Sequence, residues 1–200
     1  MTTTPSRTLI AALQVTLDGY ILGPDGDGDV DWVDSWADGL GLLPEVDAFV
    51  LGGGMFPGYQ EFWTTLIDDP AAVAELLGRD PYAREVDYAR NAAQTPHLVV
   101  STTLTETAWP TAKIVGDLDE VRALKAEAGK PVYVVGGPGL VRSLIGAGLL
   151  DELRLIVHPV LLGSGTSAFD GLARRQDLEL VATEATESGR VQLTYRLAAA

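Results

Sequence analysis

The stretch PVYVVGGPGLVRSLIGA, residues 131–147, decides how the chain folds. Pro131 to Val135 is a short, β-branched apolar run and reads as a buried strand. It runs into Gly136, Gly137, Pro138 and Gly139, where glycine permits a tight turn. Leu140 to Ala147 then reads as a helix. The same grammar recurs upstream. Val46 to Leu51 reads as a strand, Gly52, Gly53 and Gly54 as its turn, and Met55 to Leu66 as helical or irregular. Two such turns in one open sheet suggest a ligand across the carboxyl ends of the strands, held by N–H groups at helix N-termini. A pair of packing turns is the other reading. Gly137 to Arg142 spells G-x-G-x-x-R, which is not the dinucleotide fingerprint.

Outward from these units the pattern continues. Thr8 to Val15, Pro96 to Ser101, Ala112 to Val115 and Leu153 to His158 read as strands. Pro70 to Gly78 reads as helical or irregular and Pro81 to Ala93 as a helix. Asp117 is expected to cap a helix to Ala128, with Gly129 as its stop, and Asp34 one to Leu43, stopped by Pro44. Leu178 to Glu187 and Arg190 to Leu197, joined by Ser188 and Gly189, read as a hairpin. Alternating strands and helices with an antiparallel end predict one α/β domain over residues 1–200, with a mixed, mostly parallel sheet.

The chain has 200 residues, no cysteine and a formal charge of −14, which removes thiolate chemistry at once. Between Thr8 and Gly78 there is no Lys or Arg but thirteen acids. Nucleic acid and anionic membrane surfaces, which need clustered cations, are thereby excluded as partners. No signal peptide or membrane span is read at the start, so a cytoplasmic location is expected. A phosphate-bearing ligand meets only backbone dipoles in this first third.

Asp25, Asp27, Asp29 and Asp31 alternate like the start of a calcium loop. Val30 and Trp36 stand where that loop needs Gly and Glu, so a solvated loop is expected. His97 and His158 lack metal-ligand spacing and read as strand-end residues; no metal site is expected. Asp31, Trp32, Asp34 and Trp36 surround the start of a predicted helix. A carboxylate beside an indole can hold a proton for a nitrogen heterocycle; a helix cap beside core tryptophans is the alternative.

Three segments carry a family resemblance. Thr16-Leu17-Asp18-Gly19-Tyr20-Ile21 is similar to the S-L-D-G-Y-I loop of the dihydrofolate reductase-like family. The branch it resembles contains the C-terminal reductase domain of the bacterial riboflavin biosynthesis protein RibD. Val134 to Leu140 resembles that branch's V-x-G-G-x-x-L turn. Gly148 to Leu153, then His158 to Gly165, resemble its G-L-v-D-E-l and h-P-v-l-L-G-s-G signatures.

The resemblance implies a three-layer dihydrofolate reductase-like fold and a nicotinamide cofactor, NADPH or in its place NADH. It implies that Ala12 and Ile21 face the nicotinamide. Gly52, Gly53, Gly54 and Met55, with Val135, Gly136, Gly137, Pro138, Gly139 and Leu140, would hold the pyrophosphate. Ser101 and Thr102 would lie by the adenine ribose. Asp18, Tyr20, Trp32 and Trp36 would bound the substrate, with Asp31 as the catalytic proton source. It also implies a homodimer through the late strands.

Two positions depart from the family. Gly53 and Thr102 stand where it carries arginines that pair with phosphates, including the 2′-phosphate of NADPH. A preference for NADPH smaller than the family's is therefore expected, and Gly53→Arg with Thr102→Arg is expected to restore it. Two functions follow. One is an NAD(P)H-dependent reductase of a C=N or C=O in a pteridine, pyrimidine or related heterocycle, similar to 5-amino-6-(5-phosphoribosylamino)uracil reductase or dihydrofolate reductase. The other is a non-catalytic protein that binds a nucleotide or heterocycle on the same fold.

Overall fold

Residues 6–26, 30–33, 45–135, 137–186 and 188–198 are described by a computed structural model. The expected helix from Asp34 lies outside them, as do Trp36 and Gly136.

The strands are β1 (Leu9–Thr16), β2 (Tyr20–Leu22), β3 (Ala48–Gly52), β4 (His97–Val100), β5 (Ala112–Val115), β6 (Val132–Val135), β7 (Glu152–His158), β8 (Thr166–Ser167), β9 (Leu178–Ala185) and β10 (Val191–Leu197). The helices are α1 (Phe56–Asp68), α2 (Pro70–Leu77), α3 (Ala83–Ala92), α4 (Asp119–Ala126) and α5 (Pro138–Gly146). Eight strands form one sheet in the order β5-β4-β3-β6-β1-β7-β10-β9. The first six are mutually parallel, and β10 turns antiparallel onto β7 and β9. This is the mixed, mostly parallel sheet the alternation predicts.

Strand periodicity divides the core into two layers. Ile10, Ala12, Phe49, Leu51, Val99, Tyr133 and Val135 face one way, under Phe56, Tyr59 and Trp63 of α1 and Tyr88 of α3. Leu9, Ala11, Leu13, Val15, Val50, Val132 and Val134 face the other way, under Val121 of α4 and Leu140, Val141 and Leu144 of α5. Each fully buried side chain of this kind contributes about 1.5–3 kcal/mol.

Three local details differ from the sequence reading. Pro70–Leu77 is a separate helix: the Asp69 carboxylate accepts the Ala72 N–H at 3.2 Å, and Gly78 closes it at φ 65°. Helix α4 ends at Ala126, before Gly129; a Cβ on Gly129 would lie 2.3 Å from the Arg7 guanidinium carbon, so this glycine makes room for Arg7. Strands β2 and β8 pair into a small second sheet that no alternation announces. Among the described residues, no helix is long and apolar enough to cross a membrane.

Candidate functional site

Adjacent parallel strands end side by side, so β3 and β6 deliver their glycine turns to the same edge of the sheet. The turns touch: a Cβ on Gly52 would lie 3.4 Å from the Leu140 Cβ in the first turn of α5. Gly137 holds the N-terminus of α5 at φ 77°, ψ 97°, with no side-chain cap. Pro138 has no N–H, so Gly139 and Leu140 supply first-turn donors. A Cβ on Gly54, Gly137 or Gly139 would meet nothing within 4 Å. The two turns therefore frame an open, donor-rich cradle.

The cradle is narrower than the glycine count implied. The Gly53 N–H donates to the Val100 carbonyl at 2.9 Å, and the Met55 N–H to that of Gly52 at 3.1 Å. Gly54 is left as the N–H of this turn that no described backbone carbonyl takes. The Met55 side chain packs on the core.

Beside this turn lies a depression of about 300 Å³, lined by Gly53, Gly54, Val100, Ser101, Thr102, Thr103 and Gly116. It joins Ser101 and Thr102 to the β3 glycines, and adds Thr103 and Gly116. The Ser101 hydroxyl accepts the N–H groups of Thr103 at 3.2 Å and Leu104 at 3.0 Å. The run Ser101-Thr102-Thr103 is the signal that could have found this turn. A Cβ on Gly53 would lie 2.3 Å from the Ser101 Oγ and 2.4 Å from its Cβ. The expected rescue through Gly53→Arg is thus corrected: no side chain fits there while Ser101 holds its place.

Strand β1 sits on the other side of β6. Ala12 is buried in register with Val135, and β1 runs four residues further, alongside β7. Residues 12, 14 and 16 share a face, which carries Gln14 and Thr16 past the end of β6. The His158 Nε2 lies 2.8 Å from the Gln14 Oε1, and the Trp32 ring stands edge-on to His158 with centroids 4.9 Å apart. The Trp32 indole nitrogen is buried without a hydrogen-bond partner among the described residues. An amide, an imidazole and an indole N–H thus cluster beyond Ala12. Sequence reasoning overlooked Gln14, although it is the lone amide in an apolar strand. Asp31 is exposed beside Trp32.

Ile21 and Ala12 are not brought into one cluster; Ile21 packs in the layer under α5. Tyr20 is half-buried and pairs with Ser167. The Asp18 carboxylate accepts the Thr16 hydroxyl at 2.7 Å and the Gly163 N–H at 2.7 Å, with Leu162 N–H at 3.1 Å. The Thr16 bond, then those from the backbone, hold it below the usual carboxylate range. Asp18 therefore ties the loop after β1 to the loop after β7.

A model of one known family, the RibD C-terminal domain, matches residues 7–192. The chain belongs to the RibD C-terminal domain family. A relative within reach is the Bacillus subtilis (strain 168) protein YyaP, itself uncharacterised, at 31% identity over 196 residues and 94% of each chain. Among solved structures, a Thermotoga maritima diaminohydroxyphosphoribosylaminopyrimidine deaminase/5-amino-6-(5-phosphoribosylamino)uracil reductase superposes with a TM-score of 0.62 at 16% identity, over 96% of this chain and 57% of that one. Enterococcus faecalis dihydrofolate reductase, complexed with NADP(H) and RAB-propyl, superposes at 0.57 and 17% identity, over 95% and 96%. The fold of this RibD C-terminal domain is thus dihydrofolate reductase-like.

Proposed function

We propose that this chain is an NAD(P)H-dependent reductase of a C=N or C=O bond in a pteridine, pyrimidine or related heterocycle. The observation that carries the reading is the meeting of two glycine turns at the carboxyl edge, with open space above Gly54, Gly137 and Gly139. Space that a Cβ would fill, beside unspent N–H groups, fits a pyrophosphate. A nicotinamide bound there supplies a hydride to an electrophilic carbon of the substrate.

The protein's own residues do the rest. Gly54, Gly139 and Leu140 donate N–H groups to the pyrophosphate. Ala12 leaves a flat, apolar surface at the end of β6. Gln14, His158 and Trp32, with Tyr20, bound the heterocycle, and the Trp32 N–H gives a polar atom of the ring a donor. Asp31 delivers the proton, directly or through water. A non-catalytic binding role is favoured by a different observation: among the described residues, no cation lines the depression beside Gly53. The late strands are proposed to pair two copies, since every residue of β9 is exposed, including Leu178, Leu180 and Val181.

Calorimetric titration of NADH and NADPH into wild type and Gly139→Val tests the site. Gly139 is the cleaner probe, because Gly137 at φ 77° would strain under any side chain. Valine should weaken the better-bound dinucleotide at least thirtyfold while the circular dichroism spectrum is unchanged. Unchanged affinity would remove the pyrophosphate from α5. Tight binding with no turnover of pteridines or pyrimidines would favour the non-catalytic reading.

A further inference from the structure

A 2′-phosphate carries close to two negative charges and is recognised by charge-assisted bonds from Arg or Lys. Among the described residues, the depression at the ends of β3, β4 and β5 offers glycines, a valine and three hydroxyl residues, and no cation. The cation on β5, Lys113, is paired with Glu120 at 2.9 Å. Arg142 on α5 reaches instead to the Ser167 carbonyl at 3.3 Å. After Gly116 the chain adds Asp117, and α4 opens on Asp119 and Glu120, so the sequence that follows the depression is acidic.

The lack of an arginine at position 53 is built into the packing. The Ser101 N–H is fixed on the Val115 carbonyl at 2.8 Å and the Gly53 N–H on that of Val100 at 2.9 Å. Between these two fixed backbones the Ser101 side chain occupies the place of a residue-53 Cβ. What remains suits a ribose diol. The Ser101 oxygen accepts two N–H groups and stands 3.4 Å from the Thr103 hydroxyl oxygen, a long hydroxyl–hydroxyl bond that a ribose hydroxyl can replace. Thr102 and Thr103 are exposed hydroxyls that donate and accept equally. A vicinal diol needs that mixture; a dianion does not.

The structure assigns this depression to the adenosine of a dinucleotide without a 2′-phosphate, making NADH the preferred cofactor, with the Gly53–Ser101 packing as the determinant. The assignment rests on the reductase reading of the site, which it deepens. Calorimetry with NADH and NADPH at fixed ionic strength tests it on wild type and Thr102→Arg. Thr102 is exposed, so the substitution adds a cation without crowding the turn. Wild type is expected to bind NADH at least fivefold more tightly. Thr102→Arg is expected to raise NADPH affinity at least tenfold and NADH affinity less than threefold. A smaller or reversed wild-type preference overturns the assignment and leaves the reductase reading standing. A Thr102→Arg protein with no gain for NADPH overturns the placement of the ribose. Failure of both dinucleotides to bind overturns the reductase reading along with it.

Discussion

Acidification should destabilise this protein through one buried imidazole. His97 is 2% exposed at the start of β4, in van der Waals company with Phe49, Tyr59 and Trp109. Its Nδ1–H donates to the Thr95 carbonyl at 2.7 Å, so its Nε2 accepts from the Tyr59 hydroxyl at 3.0 Å. Tyr59 in turn accepts from Tyr88 at 2.7 Å. This is a chain of neutral groups, and burial, opposed weakly by the Thr95 bond, lowers the His97 pKa from 6.5 to about 4. The native ring is neutral where the unfolded ring takes up a proton. The stabilisation is therefore complete above pH 6.5 and is lost as pH falls from 6.5 through about 4. At 1.36 kcal/mol per pH unit, that interval corresponds to about 3 kcal/mol. Urea unfolding of wild type and His97→Gln at pH 7.5, 6.5, 5.5 and 4.5 measures it. Wild type should lose about 2 kcal/mol more than the variant between pH 6.5 and 4.5. Parallel losses in the two proteins, or an imidazolium signal from His97 at pH 5.5 by NMR, would refute the reasoning.

Other perturbations have equally definite outcomes. Asp18→Ala should speed amide hydrogen exchange at Leu162 and Gly163, whose N–H groups the carboxylate accepts; unchanged exchange would deny the tie between the two loops. In wild type the protection of these two amides, relative to their intrinsic exchange rate at each pH, should fall as pH drops through the lowered Asp18 pKa, because the tie needs the ionised form. Arg79→Ala should cost about 3 kcal/mol in urea unfolding, since it leaves the buried Glu85 carboxylate without the guanidinium it meets at 2.9 and 3.0 Å. Adding Glu85→Gln should recover part of that loss, and a double variant no more stable than the single one would contradict the account.

Most strands were legible because each is a short apolar run closed by Gly, Pro or a polar turn. Thr8 to Val15 is found at Leu9–Thr16, and Ala112 to Val115 where it was expected. What escaped was set by contacts distant in sequence. Strands β2 and β8 are two or three residues long, and Gly165 lies so close to the Leu22 carbonyl that a Cβ would sit 2.1 Å from it. Nothing local reports such an approach. The turn glycines were legible, but which of their N–H groups stay unspent depends on Val100, a residue on another strand. Gln14 and His158 stand 144 residues apart, and only the register of β1 against β7 makes them neighbours.

The position of β1 has a consequence for how the polypeptide is made. Its flanking partners begin at Val132 and Glu152, more than 120 residues downstream of Leu9 and Ile10. At about 5–20 residues per second, a ribosome needs on the order of ten seconds or more to deliver them. During that interval the longest buried strand of the sheet waits without neighbours, a ready target for other nascent chains or a chaperone. Closure of the sheet is a post-synthetic or very late event, and it must pull β1 into a slot between two strands at once. Such a high contact order predicts slow refolding, and a chain truncated before β7 has no route to a completed centre.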